Sequence, residues 1–201
     1  MAEAEGENGD CPREQSSQSK FSPGIVKNDE IVVRTLFEPE HVDEDGNLSA
    51  KSLTLKELQN TGASVDRLDK QHGTKFNILE RAHIRIAGKK NRNWVLLSKV
   101  SASNIRQFLD ESEQPVFCIL DTALKENCAH ADILFHSFGN LGNRGVLQVW
   151  RNRLVEAMET IRVEPSIRFL LRPTRPYLEW LAAFWRQIWA TLVPLQGLKR
   201  K

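Results

Sequence analysis

The stretch FNILERAHIRIAGKKNRNWVLLSKVS runs from Phe76 to Ser101, and the fold turns on how it is read. Even positions Phe76, Ile78, Ala82, Ile84 and Ile86 are apolar, while odd positions Asn77, Arg81, His83 and Arg85 are polar. A period of two predicts a strand with one buried face and one wet face. Gly88–Asn91 supplies a turn, and Trp94–Val100 supplies a returning strand. The expectation is a β-hairpin. Its wet face would carry Arg81 and Arg85, and its tip Lys89, Lys90 and Arg92. A basic ribbon of this kind can follow phosphates, so these five residues are the candidate nucleic-acid contact. No aromatic side chain is clearly interleaved to stack on bases, and a solvated outer sheet face is the competing reading.

Upstream, Glu30–Phe37 (EIVVRTLF) is β-branched and apolar and reads as a strand closed by Pro39. Thr54-Leu-Lys-Glu57 is a capping box opening a short helix to about Asn60, with Gly62 as its stop. Downstream, Ser101 or Ser103 caps a helix over residues 104–111. Pro115–Leu120 is a continuous apolar run, expected as a buried central strand. Leu124, Cys128, Ala131, Phe135 and Phe138 recur at helical spacing until Gly139. Val146, Trp150, Leu154, Met158 and Ile161 form a second helical stripe. Strands and helices do not alternate strictly. That predicts an α+β fold: a small mixed or antiparallel sheet containing the hairpin, packed with several helices.

A chain of 201 residues, 40% hydrophobic and 27% charged, supports one globular domain with a sizeable core. The net charge of +2 hides an uneven distribution: −4 over residues 1–30, −1 over 31–143 and +7 over 144–201. The C-terminal third is therefore the part suited to an anionic membrane or a nucleic acid. Residues 1–23 are acidic and nearly devoid of large apolar side chains, and are expected to be disordered. The globular domain is expected over 24–161, a Pro/Arg connector over 162–176, an amphipathic helix over 177–195 and a basic tail over 196–201. Three cysteines, Cys11, Cys118 and Cys128, are too few for a disulfide framework. With no apolar leader at the start, the expected compartment is the reducing cytoplasm.

Chemistry has few candidates. Cys128, His130, Asp132 and His136 lie within nine residues. On a strand, Cys128, His130 and Asp132 would share a face, as in a metal site or a thiol–imidazole pair. The helical reading scatters them and leaves a buried cysteine with two surface histidines. His130 is the candidate acid/base, because imidazole moves protons near neutrality. Arg67, in GASVDR (62–67), is the candidate anion clamp. No phosphate-binding glycine loop, zinc-protease motif, paired CxxC or GxSxG occurs, so no cofactor and no metal site is expected.

The segment YLEWLAAFWRQIWATLVPL (177–195) holds three of the five tryptophans. Arg186 at mid-helix costs about 2.5–3.5 kcal/mol in a bilayer, which argues against a transmembrane span. Leu181, Phe184, Trp185, Ile188, Trp189 and Leu192 gather on one arc of the wheel. That face suits a protein partner or a second copy, because Trp dominates interface energetics. Burial against the chain's own core and peripheral membrane contact are the alternatives. The function expected from sequence is a non-enzymatic module docking through this helix. The alternatives are a small enzyme on a phosphate-containing or nucleic-acid substrate, using His130 and Arg67, and nucleic-acid binding through the hairpin. A chain truncated after Glu164 is expected to keep the solubility and melting temperature of the full chain and to lose partner or lipid binding. Precipitation or unfolding would instead assign the helix to the core.

Overall fold

A computed structural model describes residues 11–16, 18–43, 45, 47–74, 77–87, 92, 94–136 and 143–163. The chain divides into two units, Met1–Glu164 and Pro165–Lys201. The second unit, with the expected Trp-rich helix and basic tail, lies outside the described residues. Among the described residues no helix is long and apolar enough to cross a membrane.

The first unit is built on a six-stranded antiparallel sheet: β1 (Ile31–Glu38), β2 (Ala63–Arg67), β3 (Trp94–Ser101), β4 (Phe117–Asp121), β5 (His130–Phe135) and β6 (Glu159–Val163). The strand order is β4-β5-β2-β1-β3-β6. Among the described residues three α-helices accompany it: α1 (Ile78–Ala87), α2 (Ala102–Arg106) and α3 (Arg144–Glu156). The α+β class is as expected, with an antiparallel sheet.

The hairpin over Phe76–Ser101 is not formed. Trp94–Ser101 is a strand, but Ile78–Ala87 is helix. Asn77 and Glu80 explain the start of that helix. The Glu80 N–H donates to Asn77 Oδ1 (2.9 Å), and the Asn77 N–H donates to Glu80 Oε2 (3.1 Å). This reciprocal capping box has the same spacing as Thr54-x-x-Glu57, which also forms. Burial follows the period of a helix: Ile78 and Ala82, four apart, are buried, while Ile84 is 54% exposed.

The second correction concerns the helix expected over 124–138. A tight turn pairs Leu124 with Asn127, and residues 130–135 form β5. Ala131, Ile133 and Phe135 point to one face of the sheet, His130, Asp132 and Leu134 to the other. Both faces of β5 are covered, so apolar residues occur at odd and even positions and mimic a helical stripe. The third correction is at the end of the unit. α3 stops at Glu156, and Glu159–Val163 pairs with β3, so Met158 and Ile161 do not continue the helix and the first residues of the expected connector are strand. Asn143 caps α3, its Oδ1 accepting from the N–H groups of Gly145 and Val146.

One face of the sheet carries the main core. Val32, Ala63, Val65, Ile119, Ile133 and Phe135 pack there against Leu53, Leu58, Ile105 and Leu154. Phe117 stacks on Phe135 at 5.2 Å and meets Phe108 edge-on at 5.7 Å. The opposite face holds two smaller apolar clusters: Cys11, Cys118, Leu120 and Leu134 at one end, and Phe37, Ala82 and Val95 at the other. Polar side chains lie between them.

β4 is fully buried, as expected, but it ends the strand order rather than lying at its centre. Its outer edge is closed by the N-terminal segment, so the tail expected to be disordered through residue 23 is ordered over its described part. Glu14, 6% exposed, accepts the Ile119 N–H through Oε1 (2.6 Å), and the Gln18 N–H donates to the Asp121 carbonyl (3.0 Å). Cys11 and Cys118 form a disulfide across 107 residues. One bridge is thus made where no disulfide framework was expected, and Cys128 stays free.

Arg67 is buried to 1% exposure and joins three parts of the fold. Its guanidinium makes a fork with Glu30 (2.7 and 2.6 Å), donates to the Gly24 and Ile25 carbonyls, and lies 3.8 Å from Asp121. Arg67→Ala takes the guanidinium away from the buried Glu30 carboxylate and is expected to cost about 3–5 kcal/mol of folding free energy. Urea unfolding of the two proteins measures it; a loss below about 1 kcal/mol, the size seen for surface pairs, would refute the structural role.

Candidate functional site

β1 and β2 remain paired over only two positions, Val32 with Arg67 and Val33 with Asp66. Past these they separate, and Arg34 spans the gap. It donates to the Ser52 carbonyl (2.7 Å), the Ser64 carbonyl (3.0 Å) and Glu57 Oε1 (2.8 Å). Over this opening lies a cleft of about 400 Å³, on the face of the sheet that holds the polar side chains. Arg34, Arg85 and Arg92, the imidazoles of His41 and His130, and the carboxyls of Glu57 and Asp66 line it. A second cleft, of about 220 Å³, lies beside the N-terminal segment, but its charged groups satisfy one another: Arg106 bonds Glu14 and Asn28.

β5 brings His130 into the larger cleft beside Asp66, its partner across the ladder. The hydrogen bonds around the ring fix its tautomer. Thr122 Oγ1 donates to Asp132 Oδ2 (2.6 Å), which uses its only proton. His130 Nδ1 lies 2.9 Å from that hydroxyl and 3.2 Å from the Thr122 carbonyl, which only accepts. Nδ1 therefore carries the proton, and in the neutral ring Nε2 holds the lone pair. Asp132 acts on the imidazole through Thr122, in the manner of a carboxylate that orients a catalytic histidine. Gly62 permits this packing: its φ of +83° suits glycine, and a Cβ there would fall 2.5 Å from Asp132 Cβ.

His41 is held the opposite way. Its Nδ1 accepts the Phe37 N–H (2.9 Å), so the neutral ring carries its proton on Nε2. Burial lowers its pKa below the ordinary imidazole value; Arg34 and Arg92 push the same way, against Glu40. Glu57 is held below the usual carboxylate range: burial opposes ionisation, but the charge and hydrogen bond of Arg34 and the bonds from Thr54 outweigh it. The cleft thus offers one imidazole that accepts a proton and one that donates.

Two further groups complete the site. Asn127 Nδ2 donates to Asp66 Oδ1 (2.7 Å), whereas its Oδ1 is buried and accepts nothing among the described residues. Arg85, exposed on α1, has no ion-pair partner among the described residues. The other arginines are engaged: Arg81 with Asp66 (2.7 Å), Arg92 with Glu40 (2.7 Å) and over the Phe37 ring at 3.9 Å, Arg34 with Glu57 (2.8 Å).

Of the residues singled out from sequence, His130 lines the cleft and Arg67 does not. Adjacent strand residues face opposite ways. Asp66 points with His130, so Arg67 points into the other side, where Glu30 and two carbonyls take its donors. The pair does not converge on one pocket. Cys128 precedes β5 and its Sγ donates to the Lys70 carbonyl (3.6 Å), so it does not join His130 and Asp132. The basic hairpin is replaced by a helix and a strand, and Arg85 and Arg92 turn out to line the cleft. Lys89, Lys90 and the docking residues Leu181, Phe184, Trp185, Ile188, Trp189 and Leu192 lie outside the described residues. Sequence reading missed Arg34, His41, Thr122 and Asn127. None belongs to a motif: Arg34 and Asn127 depend on contacts between distant segments, and His41 and Thr122 on the turns that fold back onto β1 and β5. No family model, curated protein or solved structure matches the chain.

The pKa directions set an acid dependence. His41 is depressed from 6.5, and Glu30 and Glu57 from 4.5, Glu30 because the Arg67 and Lys27 bonds outweigh burial. A depressed group contributes stability above its unfolded pKa and loses it as pH falls through the folded value. Glu14 runs the other way, its pKa raised because burial outweighs Arg106. Stability should therefore drop first below pH 6.5 as His41 resists protonation, then again below pH 4.5. His41→Asn keeps an acceptor for Phe37 and removes the titration. Urea unfolding at about pH 7.5 and about pH 5.5 should show a fall in the wild type that the variant lacks; equal falls would contradict the assignment.

Proposed function

We propose that the cleft binds a small phosphate-bearing molecule and that His130 moves a proton in its reaction. The observation that carries this reading is the convergence, in one cleft, of two imidazoles of opposite polarity with an arginine that has no ion-pair partner among the described residues. His130 Nε2 is the general base. The His41 Nε2–H and the Arg85 guanidinium are donors suited to phosphoryl oxygens. Arg85 takes the clamp role that the sequence pointed to at Arg67. The volume, about 400 Å³, lies within the range of small-molecule sites, which favours a ligand of mononucleotide size over a nucleic-acid strand.

Isothermal titration with inorganic phosphate and a nucleoside monophosphate tests the binding. Removing a charged hydrogen bond costs about 1.5–3 kcal/mol, so Arg85→Ala should weaken binding about ten- to hundredfold. His130→Ala should keep most of the affinity and lower turnover of a responsive phosphoester about 10²–10⁴-fold. Absence of binding by every phosphate probe, or an Arg85→Ala variant that binds as the wild type does, would sink the reading.

The division of the chain at Glu164 favours a second reading, compatible with the first. In it the segment after Pro165 is a separate docking element for a protein partner or a second copy. Truncation after Glu164 separates the two, because cleft binding survives it and docking does not.

A further inference from the structure

At the other end of the same sheet face, Cys11, Cys118 and His136 place two sulfurs and an imidazole nitrogen within 4.8 Å of one another. The sheet builds the cluster. Cys118 pairs with Leu134 across the β4–β5 ladder, and the His136 N–H donates to the Val116 carbonyl (2.9 Å), continuing that ladder. His136 is thus the diagonal neighbour of Cys118 on one face, a spacing within side-chain reach. Cys11 arrives from the N-terminal segment, which Glu14 fixes through Ile119 and Arg106. Both cysteines are buried, at 1% and 0% exposure, and His136 is half-buried.

We propose that these three residues form a thiolate–imidazole site for a soft divalent cation of the zinc class, and that the Cys11–Cys118 disulfide is its oxidised, closed state. Zinc takes sulfur at about 2.3 Å and nitrogen at about 2.0 Å in a tetrahedron, so its ligand atoms stand about 3.3–3.8 Å apart. The three ligand atoms already lie within 4.8 Å of one another, and the Cys11 and Cys118 Cα atoms, 6.0 Å apart, leave the two sulfurs room to part to that spacing once the bridge is reduced. Two thiolates and a neutral imidazole match the charge and softness of such an ion and leave a fourth coordination position. Loading the reduced pair releases one proton from each thiol. A small-molecule disulfide reverses it: its S–S bond breaks as it takes two electrons from the protein thiolates, the protein S–S bond forms, two small thiolates leave and take up two protons from solvent, and the ion is expelled. The cation and the bridge therefore exclude one another, and either one ties the N-terminal segment over the β4 edge.

Cobalt(II) is the probe. Added to the full chain after reduction by a phosphine and removal of the excess, it should give a thiolate-to-metal charge-transfer band and the visible bands of a tetrahedral site, at one ion per chain. Zinc should displace it. The untreated disulfide form should show neither band. Adding a small-molecule disulfide to the zinc-loaded chain should release the ion to a chromophoric chelator as free thiols disappear. His136→Ala removes one ligand without touching the thiols, and should shift the visible bands and weaken cobalt binding; Cys118→Ser should abolish the charge-transfer band. A reduced, folded wild type without the band overturns the proposal and leaves an ordinary structural bridge. Spectra and affinity unchanged by His136→Ala overturn it as well. Far-UV circular dichroism on each sample separates lost binding from lost fold.

Discussion

The buried Arg67 guanidinium is the constraint around which the described unit is organised. Removing a charge from water is costly unless every donor finds an acceptor. Here the fork from Glu30 and the carbonyls of Gly24 and Ile25 come from the segment before β1, with Asp121 at the end of β4 close by. Ser22 also donates to Asp121. One side chain therefore fixes the entry to β1 against β2 and β4. It also sets which way the neighbouring residue points. With Arg67 on the core side, Asp66 must face the cleft, and the ladder to β5 places His130 beside it.

A similar logic governs the second buried arginine. Arg34 bridges the strands where β1 and β2 part, donating to the Ser64 carbonyl of β2 and to the Ser52 carbonyl outside the sheet. With that bridge, the sheet tolerates an opening, and the opening becomes the cleft. The polar strip of the sheet face lies between two apolar clusters, so the site is bounded by the parts of that face that are packed. The N-terminal segment plays the matching role at β4, where a carboxylate and a backbone N–H close an otherwise exposed edge.

The three departures from the expected secondary structure have different physical causes. Residues 76–86 alternate in polarity, yet only Ile78 and Ala82 are buried among those whose side chains are described, and the Asn77–Glu80 box starts a helix. That box was legible, as the Thr54–Glu57 box was, and it should outrank a two-residue period broken at Glu80. β5 misled for the opposite reason, because a strand covered on both faces has no clean alternation. β6 was hidden because Met158 and Ile161 fall on the helical stripe of α3, and nothing local marks where pairing with β3 takes over.

The sequence by itself determined the elements whose signals are local: strand β1, the returning strand β3, the buried run of β4, the capping box at Thr54, the Ser101 cap of α2 and the α+β class. It also pointed to His130, whose chemistry belongs to its side chain. Tertiary structure decided the rest. It set the partner of Arg67, the tautomers of His130 and His41, the bond from Asn127 to Asp66 and the meeting of Cys11 with Cys118 and His136. Arg67, Asn127 and Cys11 meet partners tens of residues away within a few ångströms, and the two tautomers depend on how a strand and its flanking turn bring Phe37 to His41 and Thr122 to His130. Hydrogen bonds, ion pairs and ligand sets act over such distances in space, and no spacing along the chain records which distant groups will close them.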